Sequence, residues 1–307
     1  MLNDNLFSIN KSVFGVEYQY KYILLKVLEY LLAGRLEYAF VNFPINESSY
    51  SLDGKFVLME PREILLYEVK TGDNFKNDSK NELKHILKVF YIYEQEYNEK
   101  NCKKIIVIDP KTKARIENHI LDFMCIKERR RNNNSRENIT QIKKRVYENL
   151  RFEKLTINQR EFIEFIKEVD FKQGPSYEKN STNDVLTDLE DAIKSVIDDF
   201  CYKLEIRSTD IEIPSFSIAL ELIEVIRQCS QNNKNIVEDI CEKLIECLSR
   251  RRLIQEAIYK KDKEKLFKDN IKPKIKKRIT EITKIQIKER VPLLWEDKDK
   301  ENIITQE

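Results

Sequence analysis

Glu68 and Lys70 stand two residues apart in Ile64–Lys70, ILLYEVK, an apolar run whose composition reads as a β-strand. Side chains alternate faces along a strand. Ile64, Leu66, Glu68 and Lys70 therefore share one face, and Leu65, Tyr67 and Val69 the other. A carboxylate and an ammonium at the end of such a strand put charge beside a core, which costs free energy. A second acid, Asp53, lies upstream in SLDGKFVL, beyond a turn built around Pro61. Two acids and a lysine converging at a strand end can hold a divalent cation and activate water against a phosphate ester.

Whether they converge depends on register. In a hairpin symmetric about Pro61, Asp53 faces Val69 and points away from Glu68. A one-residue shift or a bulge brings Asp53 onto the Glu68/Lys70 face, and Gly54 is where a bulge would be tolerated. The expectation is that Asp53 and Glu68 lie within reach of one metal ion, with Lys70 at a solvent-accessible strand end. Acid-x-Lys triplets recur in this chain, as at Asp78/Lys80, Glu82/Lys84 and Asp170/Lys172. Strand context is what separates Glu68/Lys70 from them; the competing reading is a surface ion pair worth little energy.

The flanking pattern supplies elements to position these groups. Gly15–Gly34 reads as a helix with Tyr20, Leu24, Val27, Leu28 and Leu31 on one face and Gly34 as its stop. Tyr38–Phe43 is a short strand, and Leu52–Leu58 with Glu63–Lys70 form an antiparallel hairpin. A helix begins near Ser79, with Leu83, Ile86, Leu87, Phe90, Tyr93 and Tyr97 as its apolar face. Lys104–Asp109, KIIVID, reads as a buried strand, followed by a helix to about Met124. Arg129–Arg136 is a polar loop, and Leu150–Val169 has room for a strand and a helix. This order defines a mixed α/β domain over residues 1–172. Residues 173–184 have a linker's composition. Residues 185–307 read as an all-α region, with helices near 184–205, 215–231, 235–260 and 262–290, suited to interaction or regulation.

The net charge of the 307 residues is only +2, but Arg250–Arg290 carries 16 Lys/Arg against 6 Asp/Glu. That asymmetry points to nucleic acid or an acidic partner, or to a solvated helix face. Six cysteines without a CxxC pair and only two histidines argue against a zinc site. The thiols read as small buried residues in a reducing cytosol. No apolar run suffices to span a membrane and MLNDNLFSIN is not a signal-peptide pattern, so a cytoplasmic location is expected. No phosphate-binding GxxxxGK[ST] loop is present. His85, beside the buried face of its helix, reads as structural.

Asp53…Glu68-Val69-Lys70 resembles the PD-(D/E)xK signature of the restriction-endonuclease-like superfamily. The helix–strand–hairpin–helix–strand order is similar to that superfamily's core over roughly residues 12–125. Gly15-Val16-Glu17-Tyr18-Gln19 ahead of LLKVLEYLLAG resembles the helix opening of Mrr-like nucleases and of the effector nucleases of bacterial anti-phage systems of the CBASS and Lamassu types. The resemblance implies a Mg²⁺-dependent endonuclease acting on double-stranded DNA, with Mn²⁺ as a substitute. Asp53, Glu68 and the Val69 carbonyl would ligate the metal, and Lys70 would orient or deprotonate the attacking water. Gln19 stands where Mrr-like proteins commonly have glutamate; it adds no charge, and Glu17 or Glu29 could substitute for it. The resemblance further implies control through the helical region, by self-oligomerisation or by a partner ATPase, SMC-like or helicase-like. A catalytically inactive, nuclease-like scaffold that binds DNA or a partner is the alternative.

Overall fold

The computed structural model describes residues 2–45, 50–71, 79–99, 102–110, 139–152, 157–176, 188–206, 214–256 and 263–286, with a few isolated positions between them. Helix α1 runs from Leu2 to Leu32, beginning well before the expected Gly15. Its buried stripe, Ile23, Leu24, Val27, Leu28 and Leu31, is fully inaccessible, and each such side chain contributes about 1.5–3 kcal/mol by leaving water. The helix stops where the sequence places Gly34. The amide of Arg35 donates back to the Tyr30 carbonyl at 3.0 Å and that of Gly34 to Leu31 at 2.9 Å. Gly34 adopts φ +64°, a left-handed closure that favours glycine.

Five strands follow as one mixed sheet in the spatial order β1-β2-β3-β4-β5. They are β1 (Leu36–Pro44), β2 (Ser51–Leu58), β3 (Glu63–Lys70), β4 (Cys102–Ile108) and β5 (Val169–Gln173). The β1–β2 and β2–β3 pairs are antiparallel, whereas β3–β4 and β4–β5 are parallel. Helix α2 (Ser79–Tyr97) connects β3 to β4. Helices α3 (Ile139–Leu150) and α4 (Gln159–Lys167) precede β5. Asn158 and Glu161 cap α4 reciprocally. The helix expected to follow KIIVID lies mostly outside the described residues, as does the polar segment 129–136.

Alternation along the strands sends side chains into two cores. On one face Leu66, Ile106 and Val169 pack with Leu83, Ile86, Leu87 and Phe90 of α2 and with α3 and α4. On the other, Leu65, Tyr67 and Val107 meet α1. β4 is not wholly apolar: Lys104 is fully buried, its ammonium 3.0 Å from Glu94 and 2.5 Å from Glu168. Pairing on both sides makes that burial tolerable.

The C-terminal region is helical: α5 (Asp188–Lys203), α6 (Ser215–Ser230), α7 (Val237–Glu256), and α8 (Lys263–Leu266), which passes through a π-helical turn (Phe267–Ile271) into α9 (Lys272–Thr283). The segment 173–184 separates it from the sheet in sequence, but one buried cluster runs through both parts. Ile193, Phe200, Leu222, Leu244 and Ile275 share that cluster with α1 and the sheet. None of the six cysteines forms a disulfide and all are buried, four of them (Cys201, Cys229, Cys241 and Cys247) in these helices. No helix among the described residues is long and apolar enough to cross a membrane.

The helical region also closes the free edge of β1. The Ala39 amide donates to Asn235 Oδ1 at 3.1 Å, and the Ile236 amide donates to the Ala39 carbonyl at 2.9 Å. Asn235 Oδ1 additionally accepts from the Val237 amide, at the start of α7, at 3.3 Å. One side-chain oxygen thus serves an exposed strand edge and a helix start. Asn235→Ala removes both bonds and is expected to cost about 1–2 kcal/mol in urea unfolding.

Candidate active site

The site forms where β2 and β3 part company. Their pairing runs from Leu58↔Glu63 to Gly54↔Tyr67 and stops there. β2 continues beside β1 to Ser51, while β3 continues beside β4 to Lys70. The hairpin turn takes Met59–Arg62, so it is centred between Glu60 and Pro61 rather than on Pro61. That is the one-residue shift that sets Asp53 on the Glu68/Lys70 face instead of opposite Val69.

Beyond Gly54↔Tyr67 the backbone of Val69 has lost its antiparallel neighbour, and two side chains replace it. The Val69 amide donates to Asp53 Oδ2 at 2.7 Å. The Val69 carbonyl accepts from Gln19 Nε2, on α1, at 3.2 Å. Asp53 Oδ2 also lies 3.2 Å from Lys70 Nζ, and Glu68 Oε2 lies 2.8 Å from the same nitrogen. Asp53, Glu68, Val69, Lys70 and Gln19 are therefore brought together.

Burial makes this cluster electrostatically unusual. Glu68 is 3% exposed, and its Oε1 is buried with no hydrogen-bond partner. Desolvation first, then the neighbouring Asp53 charge, pushes the Glu68 pKa up to about 8 against the opposing pull of Lys70. The Lys70 pKa is raised as well: burial opposes its charge, but the Asp53 and Glu68 carboxylates outweigh that. It is held as an ammonium that donates. Lys70 is also less open than the sequence suggested, with only 14% of its side chain exposed. Removing it would strand two carboxylates, so Lys70→Ala loses stability as well as a functional group.

The other acids on α1 go elsewhere. Glu17 pairs with Lys21 at 2.8 Å and Glu29 with Lys26 at 2.7 Å; neither joins the cluster. Residues 72–74, which follow β3, lie outside the described residues. His85, read as structural, is exposed. Its ring packs against Tyr50 at 5.4 Å between centroids, and Lys88 Nζ donates to the Tyr50 hydroxyl at 2.7 Å. Tyr50 and Lys88 carried no signal in the sequence beyond their polarity.

The donor set can be tested against a metal ion. Asp53, Glu68 and the Val69 carbonyl offer only oxygen, which suits Mg²⁺ or Mn²⁺. The partnerless Glu68 Oε1 is a ligand atom in waiting, and the Val69 carbonyl has a second lone pair beyond the one facing Gln19. Among the described residues no group of three or more His, Cys, Asp or Glu assembles, so the set stops at two carboxylates. Mg²⁺ needs no more, since it keeps several waters. The residues fit one such ion.

No family model, curated protein or solved structure matches this chain.

The raised Glu68 pKa has a sign that can be measured. A carboxyl that holds its proton more tightly folded than unfolded stabilises the fold at low pH. That contribution is lost as pH rises through about 8. In EDTA, wild type is therefore expected to lose thermal stability relative to Glu68→Gln as pH is raised across this range. Adding Mg²⁺ at the alkaline end should narrow the gap. Parallel melting curves of the two proteins at every pH would refute the assignment.

Proposed function

We infer that the chain is a metal-dependent endonuclease of the restriction-endonuclease-like, PD-(D/E)xK type, hydrolysing phosphodiester bonds of double-stranded DNA. The observation that carries this reading is the convergence of Asp53 and Glu68 on Lys70 Nζ, 3.2 and 2.8 Å away, at the open end of the β2–β3 ladder. Asp53, Glu68 and the Val69 carbonyl would hold Mg²⁺, or Mn²⁺ in its place. The bound cation would lower the pKa of a coordinated water and offset charge on the phosphate. Lys70, as an ammonium, orients the attacking water and stabilises the negative charge that develops on phosphorus-bound oxygen. Deprotonation of water by Lys70 would need a neutral amine, which its two carboxylate neighbours oppose. Gln19 acts on Val69, fixing the peptide whose carbonyl is a ligand. With an amide there instead of a third carboxylate, the set suits one cation.

The resemblance of Gly15–Gln19 and Asp53…Lys70 to anti-phage effector nucleases extends the proposal to a defence role. A DNase without visible base-reading elements needs external control. The C-terminal helices are suited to provide it, by self-association or by docking a partner ATPase. A physical route exists in α1: Gln19 touches the site, and two residues on Lys21 bonds Glu190 of α5 at 2.6 Å. The opposing reading, an inactive scaffold, draws on Lys70 filling the space between the carboxylates.

Plasmid cleavage across a protein titration, with Mg²⁺, Mn²⁺ or EDTA, separates the two. Metal-dependent cutting is expected from wild type, with a loss of about a hundredfold or more in Glu68→Gln and Lys70→Met. Equal cutting by Glu68→Gln would remove this site from the chemistry.

A further inference from the structure

Around the carboxylate cluster the cations are matched by acids. Lys21 bridges Glu17 and Glu190 at 2.8 and 2.6 Å. Lys26 pairs with Glu29 at 2.7 Å, Lys104 sits between Glu94 and Glu168, and Lys70 has its own two acids. Lys88 is different. Its ammonium donates to the Tyr50 hydroxyl at 2.7 Å and lies 4.9 Å from the centre of that ring. No carboxylate among the described residues pairs with it. One turn earlier on α2, the exposed ring of His85 lies against the same tyrosine. A phenol is a poor substitute for a carboxylate partner, so the half-buried Lys88 has no acid among the described residues to balance it.

The placement of this trio is as informative as its chemistry. Leu83, Ile86 and Leu87 hold α2 against the sheet face that carries Leu66, and Glu68 and Lys70 continue that face along β3. Tyr50 is three residues before Asp53 on the chain entering β2, and its carbonyl accepts from the Ile45 amide at 3.0 Å. The Lys70 ammonium is close enough to act on His85. Partial desolvation against its neighbours, together with Lys70 and Lys88 against the opposing Glu82, lowers the imidazole pKa. A neutral imidazole there has one N–H to donate.

A nucleic-acid backbone approaching Asp53 and Glu68 brings a negative charge at every phosphate. A metal ion and Lys70 answer that at the scissile phosphate only; the neighbouring phosphates need other partners. We propose that Lys88, His85 and Tyr50 form a phosphate grip on the α2 side of the site, holding the nucleic-acid strand at a phosphate beside the one that is cut. Lys88 supplies the charge, His85 a directed hydrogen bond, and Tyr50 holds the ammonium in place from below. The proposal deepens the nuclease reading and rests on it for the identity of the ligand.

Two measurements on Lys88→Gln, His85→Gln and wild type test it. The first is affinity for a short DNA duplex in EDTA, where nothing is cut, over a salt series. The second is kcat and KM for cleavage of the same duplex with Mg²⁺. Lys88→Gln is expected to weaken binding on the order of tenfold and to lower the slope of log affinity against log salt by about one. It should raise KM while leaving kcat nearly unchanged. His85→Gln should weaken binding less and leave the salt slope alone, because it removes no charge. Unchanged affinity and slope in Lys88→Gln overturn the grip even if Glu68-dependent cutting is seen. So does a wild type that binds no duplex at the lowest salt. Lys88-dependent binding without any cutting favours the scaffold reading and leaves the grip standing on a chain that binds.

Discussion

The organisation of the site follows from one constraint: β3 outlasts its pairing with β2. A backbone amide and carbonyl deep in a fold must find partners, and past Gly54↔Tyr67 the ladder no longer supplies them. Asp53 answers the Val69 amide and Gln19 the Val69 carbonyl. Satisfying that peptide draws a carboxylate from β2 and an amide from α1 to one point beside Glu68 and Lys70. The chemical residues converge because the sheet splits there. A longer hairpin would be a better sheet without this site.

The charges gathered there oppose stability. Two carboxylates and one ammonium are withdrawn from water, and the attraction at 2.8 and 3.2 Å offsets that desolvation only in part. The residue of the conflict is visible at Glu68: one oxygen without a partner and a proton held far above the usual carboxylate range. Lys104 is the instructive contrast. It is buried as deeply, but both of its carboxylates approach closely, and Glu168 remains half open to water. The first arrangement leaves an unmet oxygen for a cation to complete; the second is already complete.

Helix α1 joins the two halves of the chain. Its inward stripe packs on the sheet, its flanks receive α5 and α6, and its closure at Gly34 lies against the end of α9, with the Ile282 carbonyl 3.0 Å from where a Cβ would be. The C-terminal helices also pair with the edge of β1 through Asn235 and Ile236. This is an intimate junction, sharing one apolar core, and it leaves the opposite sheet face, with α2 and the Glu68/Lys70 side, to other neighbours. Among the described residues, the helical region reaches the site through α1 and the sheet.

The sequence by itself determined β1 to β4, α2, the body of α1, the helical character of the C-terminal region, and the face that Glu68 and Lys70 share, because a period of two and an apolar stripe are local properties. It showed neither α3 nor β5 at Val169–Gln173. It also singled out Gln19 and Asp53 as partners, on the pattern of a known family. It left open whether Asp53 turns toward Glu68, since a turn one residue off centre reverses the answer. It missed the burial of Lys70 and the cluster of Tyr50, His85 and Lys88. A lysine at a strand end looks solvated until the neighbouring strands are placed over it. An aromatic and two bases separated by about 35 residues of chain carry no shared period. Those features belong to the tertiary structure alone, because proximity between elements is set by sheet register and helix packing, and neither is written in the spacing of residues along the chain.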